Sequence, residues 1–146
     1  MLSDNLKVLL GSTFVLYTKT HGFHWNIEGS NFPQYHKFLN KMYEEVYETI
    51  DTVAEYIRTL DSYSPGSLGR MLELSVIQEQ YKIPRAELML QELLADLEKM
   101  IELAVQIFNV ATQENQQGIA NYMAELQDLY SKKAWMIRAT LKTSRE

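Results

Sequence analysis

Cysteine is absent from all 146 residues, and with it go disulfide frameworks, thiolate metal sites and cysteine nucleophiles. Proline (three) and glycine (six) are scarce, so few positions can break a helix, and the elements must be long. Long apolar runs are missing too. Val8 to Tyr17 is too short to span a bilayer and is interrupted by Gly11, Ser12 and Thr13. The opening Met1 to Lys7 lacks the basic stretch and small-residue cleavage site of a secretory signal. A cytoplasmic location and no membrane partner are expected. Basic charge is in deficit: 14 Lys+Arg against 19 Asp+Glu give a net charge of −5, which repels nucleic acid unless the cations gather on one face. The densest group, Lys132, Lys133, Arg138, Lys142 and Arg145, reads instead as a solvated helix end whose cations suit the helix dipole.

What is present is apolar periodicity. Hydrophobic residues make up 46% and charged residues 23%, the balance of a globular chain, and the length suits one domain over residues 1–146. A first helix runs from about Ser3, as N-cap, to about Ile27, with Leu6, Leu9, Leu10, Thr13, Phe14, Tyr17 and His24 near helical spacing. A second begins near Phe32-Pro33, capped by Ser30 or Asn31, and continues unbroken to about Leu60. Asp61 to Tyr81 is irregular, with a turn at Ser64 to Ser67 and a short helix over Leu68 to Leu74. Ile83-Pro84 opens a third long helix, and a fourth carries Ile119 to Leu141. No strand pattern competes. Short first and last connections make antiparallel hairpins, and the long middle one crosses the bundle. The expectation is an all-α four-helix bundle with a short extra helix in the crossover, the ferritin-like variant.

Chemistry concentrates at the first hairpin. All three histidines, His21, His24 and His36, lie within sixteen residues. His24 closes the first helix and His36 opens the second, so the turn brings them near each other. Asp51 and Glu55 follow at i and i+4 on one face of the second helix, among Ile50, Val53, Ala54 and Ile57, so part of the pair is expected to border buried surface. A buried carboxylate requires a basic partner or a metal, and imidazole with carboxylate suits iron or zinc. His36 and Asp51 are, however, about 22 Å apart along one helix at ~1.5 Å per residue. One ion cannot reach both. Either the features are unrelated, or a second copy of the chain completes the site, giving two equivalent sites per two-fold dimer.

The stretch from His24-Trp25-Asn26 through Gly29, Phe32 and His36 to Asp51 and Ala54-Glu55 resembles the signature of the Dps (DNA-protection-during-starvation) mini-ferritins. The likeness is sharpest over Thr18 to Leu60 and extends more weakly to nearly the whole chain. It implies a ferritin-like bundle assembled into a hollow dodecamer of two-fold dimers. It also implies oxidation of Fe(II), usually by hydrogen peroxide, with storage of the ferric mineral and protection against oxidative damage. Iron would be held by His24 and His36 of one subunit and Asp51 and Glu55 of its mate.

The chain departs from that pattern in two places. The family commonly has a carboxylate four residues after the second histidine; here Asn40 offers an uncharged amide, which lowers iron affinity and Fe(III) stabilisation. His21, one turn before His24, is not a usual ligand position; it supplements the site or is simply an interface residue. Glu44 and Glu48, near the same helical phase, are candidates for mineral nucleation or plain solvated surface. Tyr43 and Tyr47 read as aromatic packing, with electron donation that protects against radicals as the alternative, and Trp135 reads as core or interface. The alternative function is a ferritin-like cage with weak or lost ferroxidase activity, serving as a structural or metal-buffering protein. A di-iron oxygenase of the four-helix type would need Glu-x-x-His pairs, which do not occur. DNA binding is expected to be weak or absent, since no Lys-rich tail precedes the first helix and only Thr143 to Glu146 follow the last.

Overall fold

Five helices appear in the computed structural model, which describes residues 1–142. They are α1 (Leu2–Asn26), α2 (Phe32–Thr59), α3 (Leu68–Leu74), α4 (Ala86–Gln113) and α5 (Gln117–Leu141). No strand occurs among the described residues. The short tail weighed for DNA binding, with Arg145, lies outside them. No described helix is long and apolar enough to cross a membrane.

The apolar positions recur every three or four residues, so each long helix buries one stripe. Leu6, Leu9, Leu10 and Leu16 of α1 meet Leu39, Met42, Val46, Val53 and Ile57 of α2. The same core takes Leu90, Leu93, Leu97, Met100 and Ile107 from α4, and Met123, Leu126, Tyr130 and Ile137 from α5. Each such side chain contributes about 1.5–3 kcal/mol by leaving water. Within that stripe, Thr13 and Thr20 donate their hydroxyls to the carbonyls of Leu9 and Leu16, both at 2.7 Å, which satisfies them without a partner helix.

Two hairpins result, α1 with α2 and α4 with α5, joined by the crossover that carries α3. The α1–α2 turn depends on Gly29, whose φ of +121° lies where side chains are strained. Crossover and bundle are locked at three points. Gly11 lets α3 approach so closely that a Cβ there would stand 2.5 Å from the carbonyl oxygen of Met71. Val76 N–H donates to Ser12 Oγ at 2.9 Å. Lys19, buried on α1, donates to the carbonyl of Gln78 at 3.0 Å and pairs with Asp96 at 2.8 Å and Glu92 at 3.4 Å on α4.

Several local expectations are corrected. Ser3 lies inside α1 rather than capping it; Met1 precedes the helix with no side-chain cap, and Asn5 N–H bonds its carbonyl. α4 starts at Ala86, because Arg85 is still extended (ψ 159°) after Pro84. Lys133 is not part of a solvated end. It is 2% exposed, pairs with Glu45 on α2 at 2.6 Å and stands over the Phe38 ring. Trp135 is exposed in the single chain, not core.

Candidate metal centre

His24 sits in the last turn of α1 and His36 in the first full turn of α2. Five residues, 27–31, reverse the chain between them, and α2 starts with Pro33 near its N-terminus. The two imidazoles stack at 3.8 Å between centroids, 15° from parallel. Each is hydrogen-bonded to the other residue's backbone: His24 Nδ1 to the His36 carbonyl at 2.8 Å, and His36 Nδ1 to the His24 carbonyl at 2.9 Å. A carbonyl oxygen only accepts, so both Nδ1 atoms must carry the proton. In the neutral ring that leaves Nε2 with its lone pair free. Fixing the tautomer through the far nitrogen is how metal-binding histidines are commonly oriented.

Aromatic rings wall this pair. Phe32 stacks on the outer side of His36 at 4.8 Å, one helical turn before it. His21 lies 6.0 Å from His24 and is stacked flat on Tyr43 at 3.8 Å and 10°. Its Nδ1 is 3.0 Å from the Tyr17 hydroxyl. Trp25 covers His21 from another side at 4.3 Å. Burial first, and the neighbouring His24 second, lower the His21 pKa below its usual 6.5, which favours the neutral ring. Tyr43 and Tyr47 do pack aromatically, each against Tyr17. The contribution of Tyr17 was missed in the sequence, although its i, i+4 spacing to His21 was there to be seen.

Asn40 is engaged along its own helix: its amide oxygen accepts from Tyr43 at 3.3 Å, and its NH2 donates to Glu44 at 2.9 Å. Glu44 and Glu48 are exposed. Asp51 and Glu55 lie farther along the unbroken α2. Both are exposed, which corrects the expectation that one chain buries part of that pair; Val53 and Ile57 point into the core from the opposite side of the helix. Among the described residues no group of three His, Asp or Glu side chains is close enough to hold a metal ion. One subunit therefore presents two separated sets: an oriented imidazole pair at one end of α2 and an exposed carboxylate pair four turns away.

Comparison with known proteins identifies the fold and the family. The family model for the ferritin-like domain matches residues 3–146. The DNA protection during starvation protein 2 of Bacillus anthracis is 30% identical over 127 residues, covering 87% of this chain and 87% of its own. The crystal structure of Dps from Staphylococcus aureus superposes with a TM-score of 0.94 at 26% identity, covering 98% of this chain and 96% of that one. A Dps protein from Vibrio cholerae O1, described as a member of a broad superfamily of ferritin-like diiron-carboxylate proteins, matches with a TM-score of 0.93 at 28% identity, over 97% and 89% of the two chains. With its two-hairpin bundle, its crossover helix and its histidine pair at the first turn, the chain belongs to the Dps mini-ferritin family of ferritin-like proteins.

Proposed function

We propose that the protein is a subunit of a cytoplasmic iron-storage cage that oxidises Fe(II) with hydrogen peroxide at sites shared between two subunits. The observation that carries this reading is the reciprocal His24–His36 pair, in which both Nδ1 atoms are engaged by backbone carbonyls and Nε2 is the ring nitrogen left to bind a metal. Asp51 and Glu55 of a two-fold mate complete the ligand set. Their exposure in the single chain supports this, because they stay free for a partner. The Vibrio cholerae relative's description as a diiron-carboxylate protein points the same way. Cage size follows the family, a dodecamer built from such dimers.

Iron is here the substrate. Neutral imidazoles accept Fe(II) readily, whereas carboxylates favour the higher charge of Fe(III), so the mixed set assists electron loss. The overall reaction is two Fe(II) with one H2O2 and two H2O giving two FeO(OH) and four H+. Glu44 and Glu48, exposed on the same helix, provide anionic oxygens on which the ferric product can nucleate. Anaerobic titration with Fe(II), then peroxide addition with assembly size measured on the same sample, tests the reading. Saturable Fe(II) binding and fast oxidation in an intact cage are expected; an intact cage that binds no Fe(II) refutes it.

A second reading is favoured by Asn40, whose amide is already shared between Tyr43 and Glu44. In it the cage binds iron but oxidises it slowly and buffers metal. Binding without oxidation above the buffer rate in that experiment selects it.

A further inference from the structure

We propose that Tyr17 is an electron donor to the iron half-site, its phenolic proton passing to Nδ1 of His21 as the electron leaves. The inference rests on the iron reading of His24 and His36. Tyrosine is oxidised readily only when a base takes its proton, since the protonated radical is a very strong acid. Tyr17 has such a base at hydrogen-bond distance, 3.0 Å, in a half-buried setting. The other rings around the half-site do not. Tyr43 donates to an amide oxygen, that of Asn40, which is a poor base. Tyr47 is 54% exposed and Trp25 is 66% exposed, and neither has an imidazole on its polar atom among the described hydrogen bonds.

Ring contacts connect Tyr17 to the histidine pair without a gap. Tyr17 is 5.5 Å from His21 between centroids, His21 lies flat on Tyr43 at 3.8 Å, and Tyr43 is 5.2 Å from His24. The electron therefore has a route of neighbouring π-systems, and the proton has a single short hop, from the Tyr17 hydroxyl to His21 Nδ1.

The chemistry that needs such a donor is the mismatch between iron and peroxide. Breaking the O–O bond to two oxide-level products takes two electrons, and one Fe(II) supplies one. When a site holds one Fe(II), as at low iron loading, the second electron must come from the protein. The balanced step is Fe(II) + H2O2 + Tyr17–OH giving Fe(III) + OH− + H2O + Tyr17–O•. Iron and Tyr17 each lose one electron. The phenolic proton goes to His21, and a proton from that imidazole passes on to neutralise one of the two hydroxides formed. Without Tyr17, the same iron and peroxide give Fe(III), OH− and a free hydroxyl radical. A later Fe(II) resets the donor: Fe(II) + Tyr17–O• + H+ gives Fe(III) + Tyr17–OH.

The test uses the assembled protein loaded with less than one Fe(II) per chain, mixed with peroxide and freeze-quenched for electron paramagnetic resonance. Iron oxidation is followed on the same mixture. A neutral tyrosyl signal is expected in the wild type. Tyr17→Phe abolishes it and raises spin-trapped hydroxyl radical. His21→Phe, which keeps the ring stack but removes the base, suppresses it, and Tyr43→Phe retains it. Iron oxidation with an unchanged signal in Tyr17→Phe, or with no tyrosyl signal in the wild type, overturns the proposal and leaves the iron reading standing. A second arm oxidises the iron-free cage with a photogenerated one-electron oxidant, where the same order of signals is expected. If the wild type oxidises no iron, the iron reading fails. The iron-free arm still decides whether Tyr17 is the donor, and a signal there that survives Tyr17→Phe overturns it.

Discussion

His24 and His36 hold each other's tautomer: each Nδ1 donates to the other's backbone carbonyl, at 2.8 Å and 2.9 Å, while the rings stack at 3.8 Å. The arrangement couples the fold to the chemistry. The hydrogen bonds tie the end of α1 to the start of α2, and in the neutral rings the same bonds place the lone pair on Nε2. Replacing either histidine removes one imidazole and the stack on the other ring, whose Nδ1 keeps its bond to the replaced residue's backbone carbonyl.

Sharing of the site between subunits predicts complementation. Cages of His24→Ala/His36→Ala subunits, and cages of Asp51→Ala/Glu55→Ala subunits, should both oxidise iron at the background rate. Co-assembled from a mixture, a mixed two-fold dimer regains one intact site, with histidines from one subunit and carboxylates from the other. Random pairing then restores roughly a quarter of the wild-type sites, since half of the dimers are mixed and each has one of two sites intact. Stopped-flow iron oxidation reads this directly. No recovery in mixed cages of normal size would mean that the two pairs do not act together.

Asn40→Asp is expected to raise Fe(II) affinity and oxidation rate. The new carboxylate adds negative charge next to the imidazole pair and can still accept from the Tyr43 hydroxyl, now 3.3 Å from the amide oxygen. A gain of roughly ten-fold in affinity corresponds to about 1.4 kcal/mol, a modest share of one added ligand charge. Calorimetric titration with Fe(II) under anaerobic conditions checks it, and a fall in affinity would exclude Asn40 from the site.

The Lys19 clamp sets the stability of the crossover. Burial raises the Asp96 carboxyl above its usual 3.8, with Lys19 pulling it back down, so the pair is held where desolvation is costly. Lys19→Met leaves Asp96 without its partner and should destabilise the chain by about 3–5 kcal/mol. Lys19→Met with Asp96→Leu should recover most of that loss, because no buried charge remains. Chemical denaturation of the three proteins distinguishes this from a simple loss of packing, in which the double variant would be the worst.

Tyr130 predicts alkaline sensitivity. It is fully buried, and burial pushes its phenol up from 10.0 to about 12, with the hydroxyls of Thr49 and Thr13 acting in the opposite direction. The folded chain keeps this proton to higher pH than the unfolded chain. Its stabilising contribution is therefore complete below pH 10.0 and is lost as pH rises to about 12. The loss amounts to about 3 kcal/mol at ~1.4 kcal/mol per unit. Tyr130→Phe should flatten the fall in melting temperature across that window; identical alkaline profiles would contradict it.

How much of this was readable in advance divides along the range of the forces involved. Helix number, the crossover helix and the hairpin at Gly29 follow from three-to-four-residue periodicity and from turn residues, which act locally. The same local geometry separates His36 from Asp51, because the rise of an unbroken helix is set by its own hydrogen bonds; the amino-acid sequence alone therefore excluded a one-chain site. Which side chains meet across helices depends on the register and rotation of one helix against another, and those follow only from packing the whole core. That is why Lys133, read as a solvated cation, is found buried against Glu45. It is also why Asp51 and Glu55 stand in solvent although apolar residues flank them in the chain. The tautomer of the two site histidines belongs to the same class. Their positions were legible as residues, but the carbonyls that fix Nδ1–H come from the facing helix end, and only the closed hairpin brings them within 3 Å.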